Sequence, residues 1–146
     1  AEDAFQQCLL HVIRHMGTVS DTSTHDLNRA GQSLLGSFFR GAYPAGSEPE
    51  PDGSNHVVIY NTMDRPPGEH WLCEYREGDT RLLYDSFGRL PSGQWQPRLQ
   101  GIETTDPDAE QEATFTDGSK TEFCGQACLA FALVCKAYGY KIARAV

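Results

Sequence analysis

Cys124-Gly125-Gln126-Ala127-Cys128-Leu129-Ala130-Phe131-Ala132-Leu133-Val134-Cys135 opens an apolar run that continues to Tyr140. From Gly125 onward, Cys128, Phe131, Ala132, Val134, Cys135 and Tyr138 recur at three- and four-residue intervals. That spacing predicts a largely buried helix ending at Gly139. Cys124 falls at its first turn, where backbone N–H groups have no intrahelical partner. A helix N-terminus and a nearby imidazole both favour thiolate over thiol. A buried structural cysteine is the ordinary reading of any single Cys. The order His70, Asp85, Cys124 along the chain is what argues for a nucleophile instead.

Upstream of this helix lie three strand candidates. Val57-Val58-Ile59-Tyr60 is β-branched and aromatic, residues 70 to 75 alternate loosely, and residues 81 to 87 contain Leu82-Leu83-Tyr84. Glu77-Gly78-Asp79 is a good hairpin turn between the last two. Such a hairpin lets the start of one strand meet the end of the next, and so brings His70 near Asp85.

Farther out, Ala4, Phe5, Cys8, Leu9, Val12, Ile13 and Met16 follow helical spacing, with Gly17 as a stop. Residues 20 to 24 are turn-rich and suit the cap of a short helix over 25 to 30. Residues 41 to 55, rich in Gly, Pro, Ser and Glu, read as an exposed loop. Residues 86 to 113 read as loop or irregular helix anchored by Trp95 and Leu99. An edge strand is expected at 113 to 116, before the turn Asp117-Gly118-Ser119. The fold class expected is α+β: a small central mixed sheet flanked by helices, in a single domain spanning 1–146.

Composition narrows the function. Hydrophobic residues make up 39% and charged residues 22%, which is the balance of a globular chain. No run is long enough for a membrane span, and none has the form of a signal peptide. The formal charge of −8, with only 12 Lys and Arg, leaves no basic stripe for a phosphate backbone and argues against nucleic acid as a partner. Five cysteines, three of them in one helix, do not form a disulfide pattern and point to a reducing intracellular compartment. The chain begins at Ala1, as a processed product, a polyprotein domain or a trimmed form does.

A thiol protease needs a thiolate, a base, a group that orients the base, and donors for the oxyanion. Cys124 supplies the first, His70 the second, and Asp85 the third, because a carboxylate on an imidazole nitrogen fixes its tautomer. The N–H of Cys124 is an oxyanion donor. Taken singly, His70 reads as a half-buried histidine, Asp85 as a turn acid before Gly88, and Trp71 as a core aromatic. His11 and His15, four apart on the first helix, read as a solvated face rather than a metal pair. His25 and His56 have no obvious partner. No metal or cofactor is expected, since phosphate-loop, Gly-x-Ser-x-Gly and dinucleotide fingerprints are absent.

On these residues the chain resembles the adenain-like family of viral cysteine endopeptidases. The likeness begins weakly at Leu35-Gly36-Ser37-Phe38-Phe39 and Tyr43-Pro44-Ala45-Gly46. It strengthens at Ile59-Tyr60-Asn61-Thr62, Gly68-Glu69-His70-Trp71, Leu83-Tyr84-Asp85-Ser86-Phe87-Gly88 and Phe123-Cys124-Gly125. Asp85 stands where the adenovirus enzyme has Glu. SUMO and NEDD8 proteases share the wider architecture. The resemblance implies virion or polyprotein precursors as substrates, cut near small residues such as Gly. It leaves open ubiquitin-like proteins as substrates and a peptide as activator. It also implies a location inside an infected host cell and in the virion, with nucleus and cytoplasm both open.

The chain departs from the family in two places. The family's oxyanion Gln, six or seven residues before the nucleophile, falls here on Asp117-Gly118. Backbone N–H groups of Asp117, Gly118 and Cys124 are therefore expected to form the hole, with Gln111 and Gln126 as worse-spaced alternatives. The chain also stops soon after the nucleophile helix, which implies a minimal core. A deconjugase and an inactive binding scaffold are the rival readings.

Overall fold

The computed structural model describes residues 2–17, 23–62, 70–91, 99–105 and 124–146. It is an α+β fold in which a five-stranded mixed sheet carries helices against one face. The elements run α1 (Glu2–Met16), α2 (Thr24–Leu35), β1 (Phe39–Tyr43), β2 (His56–Asn61), β3 (Trp71–Glu77), β4 (Thr80–Tyr84), β5 (Glu103–Thr104), α3 (Cys124–Tyr138) and α4 (Tyr140–Arg144). A 3₁₀ turn, Gly36–Phe38, links α2 to β1. The sheet order is β1-β2-β3-β4-β5. Its inner pairs, β2–β3 and β3–β4, are antiparallel, and the outer pairs, β1–β2 and β4–β5, are parallel.

The local reasons for these elements are legible in the chain. Helix α1 stops at Gly17, whose φ of 82° suits a residue without Cβ and whose N–H bonds Ile13 O at 2.7 Å. Helix α2 is capped by Ser23, whose hydroxyl accepts from Asp26 N at 3.1 Å. It runs five residues past the expected end at Ala30, because Leu27, Ala30 and Leu35 keep one side in the core. The β3–β4 hairpin closes on the Glu77↔Thr80 pair, with Gly78 at φ 59°. A positive φ at the first central residue is what a two-residue hairpin turn of this kind requires.

Strand β1 and the short β5 are corrections to the expected loops. The stretch from residue 41 starts inside β1, where Gly41 at φ 110° sits within an irregular register between Phe39 and Ala42. A two-residue strand such as β5 lacks the alternation that announces a longer one. The rest of the 44–55 loop is less exposed than its composition implies, since Glu48 is buried there. The expected strand at 113 to 116 and the anchor Trp95 lie outside the described residues. Leu99 is half-buried and packs against the sheet as expected.

The main core lies between the sheet and the helices. Trp71, Cys73 and Tyr75 of β3, Val57 and Ile59 of β2, and Leu82 and Tyr84 of β4 face Phe5, Leu9 and Val12 of α1 and most of α3. Tyr84 stacks on Phe131 with ring centroids 4.7 Å apart. From Cys124 to Val134 every α3 residue but Leu133 is buried, so the helix is apolar nearly all round. At its far end the Gly139 N–H caps Cys135 O at 2.9 Å.

The opposite face carries Val58, Tyr60, Leu72 and Leu83, with Tyr43, Leu99 and Ile102 packed against them. Beside them lies a buried polar network. Glu74 accepts from Arg76 Nε at 2.7 Å, from both the Nε and a terminal nitrogen of Arg81 at 2.9 Å, and from the Tyr60 hydroxyl at 3.1 Å. Arg76 also donates to Pro49 O at 2.7 Å, tying the 44–55 loop to this face. Along the outer margin, Ala42 N bonds Asn28 Oδ1 at 2.9 Å, and Gln32 Nε2 reaches Phe39 O at 3.4 Å.

Candidate active site

The hairpin register explains how residues far apart in sequence come together. Cys73 pairs with Tyr84 at the end of the β3–β4 ladder. Continuing that register sets His70 opposite Phe87, with Asp85 two residues back along the same segment. Beyond β4 the chain turns at once. Gly88 N bonds Asp85 O at 2.8 Å, and Phe87 N bonds Asp85 Oδ1 at 2.9 Å. Asp85 is therefore a turn acid, as its place shortly before Gly88 implies. It is also the partner of His70, whose Nε2 lies 2.6 Å from Asp85 Oδ1.

Both members of that pair are buried, His70 completely. Burial raises the Asp85 pKa, but the hydrogen bond and charge of His70 outweigh it, helped by the Phe87 N–H and by Arg89. The net effect holds this carboxyl below the usual Asp range. An ionised Asp85 can only accept, so the proton of the short contact belongs to His70 Nε2. In the neutral imidazole the lone pair then sits on Nδ1, which is buried and has no hydrogen-bond partner among the described residues. The ring itself lies flat against Phe87, centroids 4.1 Å apart and planes 6° from parallel.

Cys124 arrives from the other direction, as the first residue of α3. Its Sγ accepts from the Trp71 N–H at 3.5 Å, the peptide that directly follows His70. One turn on, Cys128 Sγ lies 3.4 Å from Trp71 O. The two thiols thus bracket one residue of β3 and fix the start of α3 beside it. His70 is anchored too, its carbonyl accepting from Thr62 N at 2.9 Å.

Of the expected triad, His70 and Asp85 are in direct contact, and Cys124 contacts the backbone of Trp71, the residue after His70. Asp117, Gly118 and Gln111 lie outside the described residues. Gln126, the other alternative oxyanion donor, is buried and gives its Nε2 to Gly17 O at 3.1 Å, at the end of α1. The remaining cysteines are free thiols, and burial pushes those of Cys73, Cys135 and Cys8 up. His11, His15 and His25 are exposed. Among the described residues no group of three or more His, Cys, Asp or Glu is placed to hold a metal ion. None of their helices is long and apolar enough to cross a membrane.

Arg89 belongs to the site, though no motif singled it out, and Phe87, part of the Asp85-Ser86-Phe87-Gly88 motif, belongs to it without having been given a role. Arg89 Nε donates to Asp85 Oδ2 at 2.8 Å, and its guanidinium carbon lies 5.2 Å from the centre of the Phe87 ring. The two-residue turn fixed the register, and that register was the available signal for Phe87. His56 also has partners the sequence did not reveal: Ser54 O at 3.0 Å and Arg76 at 3.3 Å.

No family model, no curated protein and no solved structure matches this chain.

Proposed function

We propose that the protein is a thiol hydrolase working through Cys124, His70 and Asp85. More narrowly, it is a cysteine endopeptidase of the adenain-like kind that cuts viral precursor polypeptides. The observation that carries the first step is the His70–Asp85 contact at 2.6 Å, which leaves a buried Nδ1 with no partner among the described residues, on the residue that precedes the one contacting the Cys124 thiol. The second step rests on the resemblance of the motifs.

In this reading Nδ1 takes the thiol proton, and the ionised Asp85 stabilises the imidazolium. The thiolate, favoured by the Trp71 N–H and the start of α3, attacks the scissile carbonyl carbon. A C–S bond forms as the carbonyl π pair moves to oxygen. The tetrahedral oxyanion is met by backbone N–H groups, that of Cys124 among them. Collapse re-forms the carbonyl and expels the amine, which takes the proton from Nδ1. Nδ1 then deprotonates a water that attacks the thioester, and the Cys124 thiolate leaves with the acid product released.

The test is incubation of the purified chain with the capsid and polyprotein precursors of its own genome, with mass spectrometry of the fragments and Cys124→Ala as control. Cysteine-dependent cuts near small residues support the endopeptidase. Cysteine-dependent release of a ubiquitin-like protein from its conjugate, with precursors intact, moves the reading to a deconjugase. If Cys124 alkylates no faster than Cys8 and nothing is cut, the protein is a scaffold.

A further inference from the structure

We propose that Arg89 is a positioning residue of this site, holding the Asp85 carboxylate and the Phe87 ring in the places from which they orient His70. The inference rests on the thiol hydrolase reading and goes beyond the triad.

The geometry is that of a clamp with three contacts on one carboxylate. Asp85 Oδ1 serves two donors, His70 Nε2 and the Phe87 N–H, while Oδ2 receives Arg89 Nε at 2.8 Å. A carboxylate held by one oxygen alone can rotate about its χ2 torsion, which is broad and roughly two-fold. Bonding Oδ2 to a planar guanidinium removes that freedom and keeps Oδ1 aimed at the imidazole. The same guanidinium sits over the Phe87 ring, which also stacks on the imidazole. Arg89, four residues beyond Asp85, thus braces two of the surfaces that contact His70, the carboxylate at its Nε2 edge and the phenyl at its face. Its side chain is 34% exposed, against 1% for that of Asp85. It therefore holds the buried pair from the solvent side, and a small cation can reach its place when it is removed.

The experiment measures two quantities on the full chain: the iodoacetamide alkylation rate of Cys124, and the ¹⁵N signature of the His70 tautomer. Wild type is expected to show the Nε2–H tautomer and a Cys124 rate well above that of Cys8. Arg89→Gln is expected to lower the Cys124 rate roughly tenfold, the range typical of lost outer-shell orientation. It should also turn the His70 signature into a tautomer mixture. Added guanidinium in the millimolar range should restore part of the rate in Arg89→Ala, and added sodium should not. Arg89→Lys is expected to fall between wild type and Arg89→Gln, because an ammonium cannot both bond Oδ2 in plane and stack on Phe87.

Arg89→Gln with the wild-type rate and tautomer overturns the proposal. So does Arg89→Lys indistinguishable from wild type, which also decides the matter if Arg89→Gln fails to fold. A wild-type Cys124 no more reactive than Cys8 overturns the hydrolase reading itself, and with it this inference.

Discussion

His70 and Phe87 lie face to face across the open end of the β3–β4 hairpin, 4.1 Å between ring centroids. The stack hinders rotation of the imidazole about χ2 toward Phe87. The Asp85 bond also holds it. Stacked aromatic pairs contribute about 0.5–1.5 kcal/mol beyond area burial. Phe87→Leu should therefore lower the Cys124 alkylation rate several-fold while the protein stays folded. Stopped alkylation time courses read by mass spectrometry, with a thermal melt alongside, check this.

Cys124→Ala should abolish turnover and leave the fold intact. The thiol-to-methyl change removes one sulfur and leaves the Trp71 N–H without that acceptor, a loss on the order of 1 kcal/mol. Cys128→Ala, in contrast, should act on stability more than chemistry, since Cys128 is wholly buried in the core. Precursor cleavage assays paired with denaturant titrations separate the two. Turnover by Cys124→Ala near the parent rate sinks the hydrolase reading.

His70→Ala should be nearly inactive, and Asp85→Asn should lose less, because the acid orients the base without taking the proton in the reaction. Asp85→Asn should also remove a stability term. The folded pKa of Asp85 lies below its unfolded value, and that of Glu74 does too: burial raises it, but Arg81 and Arg76 outweigh burial. A depressed carboxyl pKa gives stability that is fully present above the unfolded value and is lost as pH falls through the folded one. Wild type should therefore lose stability below about pH 4, the ordinary carboxyl range, and Asp85→Asn should lose less over the same interval. Melting temperatures between pH 2 and 7 measure both slopes.

Glu74→Gln should be among the most destabilising single changes on the second face. It removes the counter-charge of Arg76, which is almost fully buried and keeps Pro49 O as an acceptor, and weakens the hold on Arg81. Breaking one member of a buried ion pair costs roughly 3–5 kcal/mol. A loss below about 1 kcal/mol in urea unfolding would show that the arginines find other acceptors.

Gly31→Ala should destabilise, against the helix propensity gain of about 1 kcal/mol. A Cβ there would overlap the Phe39 ring, which is 1% exposed and has little room to move. Overpacking of this kind costs about 1–3 kcal/mol. Combining it with Phe39→Leu should recover part of the loss, and a Gly31→Ala protein that melts higher than wild type contradicts the packing argument.

Much of the architecture was legible in the chain because its inner elements are strongly patterned. The period of α3, the β-branched run of β2 and the Glu77-Gly78-Asp79 turn each correspond to one element of the fold. The His70–Asp85 contact was legible through the hairpin, which converts a sequence separation into a contact. Strand β1 was not, because its Arg40-Gly41 pair breaks alternation and its hydrogen bonds come partly from helix side chains. Arg89 was missed because a clamp on an acid leaves no periodic trace. His56 was missed because its partners come from a loop and a neighbouring strand.

The two amide side chains along β1 have a consequence for how copies of this molecule meet. An outermost strand offers peptide groups onto which a foreign strand can be added, the usual first step toward fibrils. Asn28 and Gln32, one helical turn apart on α2, already occupy the amide of Ala42 and the carbonyl of Phe39. Among the described residues the opposite side of the sheet ends in β5, two residues long and too short to nucleate a new strand. Lateral growth is thus discouraged at both ends of the sheet, by side-chain mimicry at one and by brevity at the other.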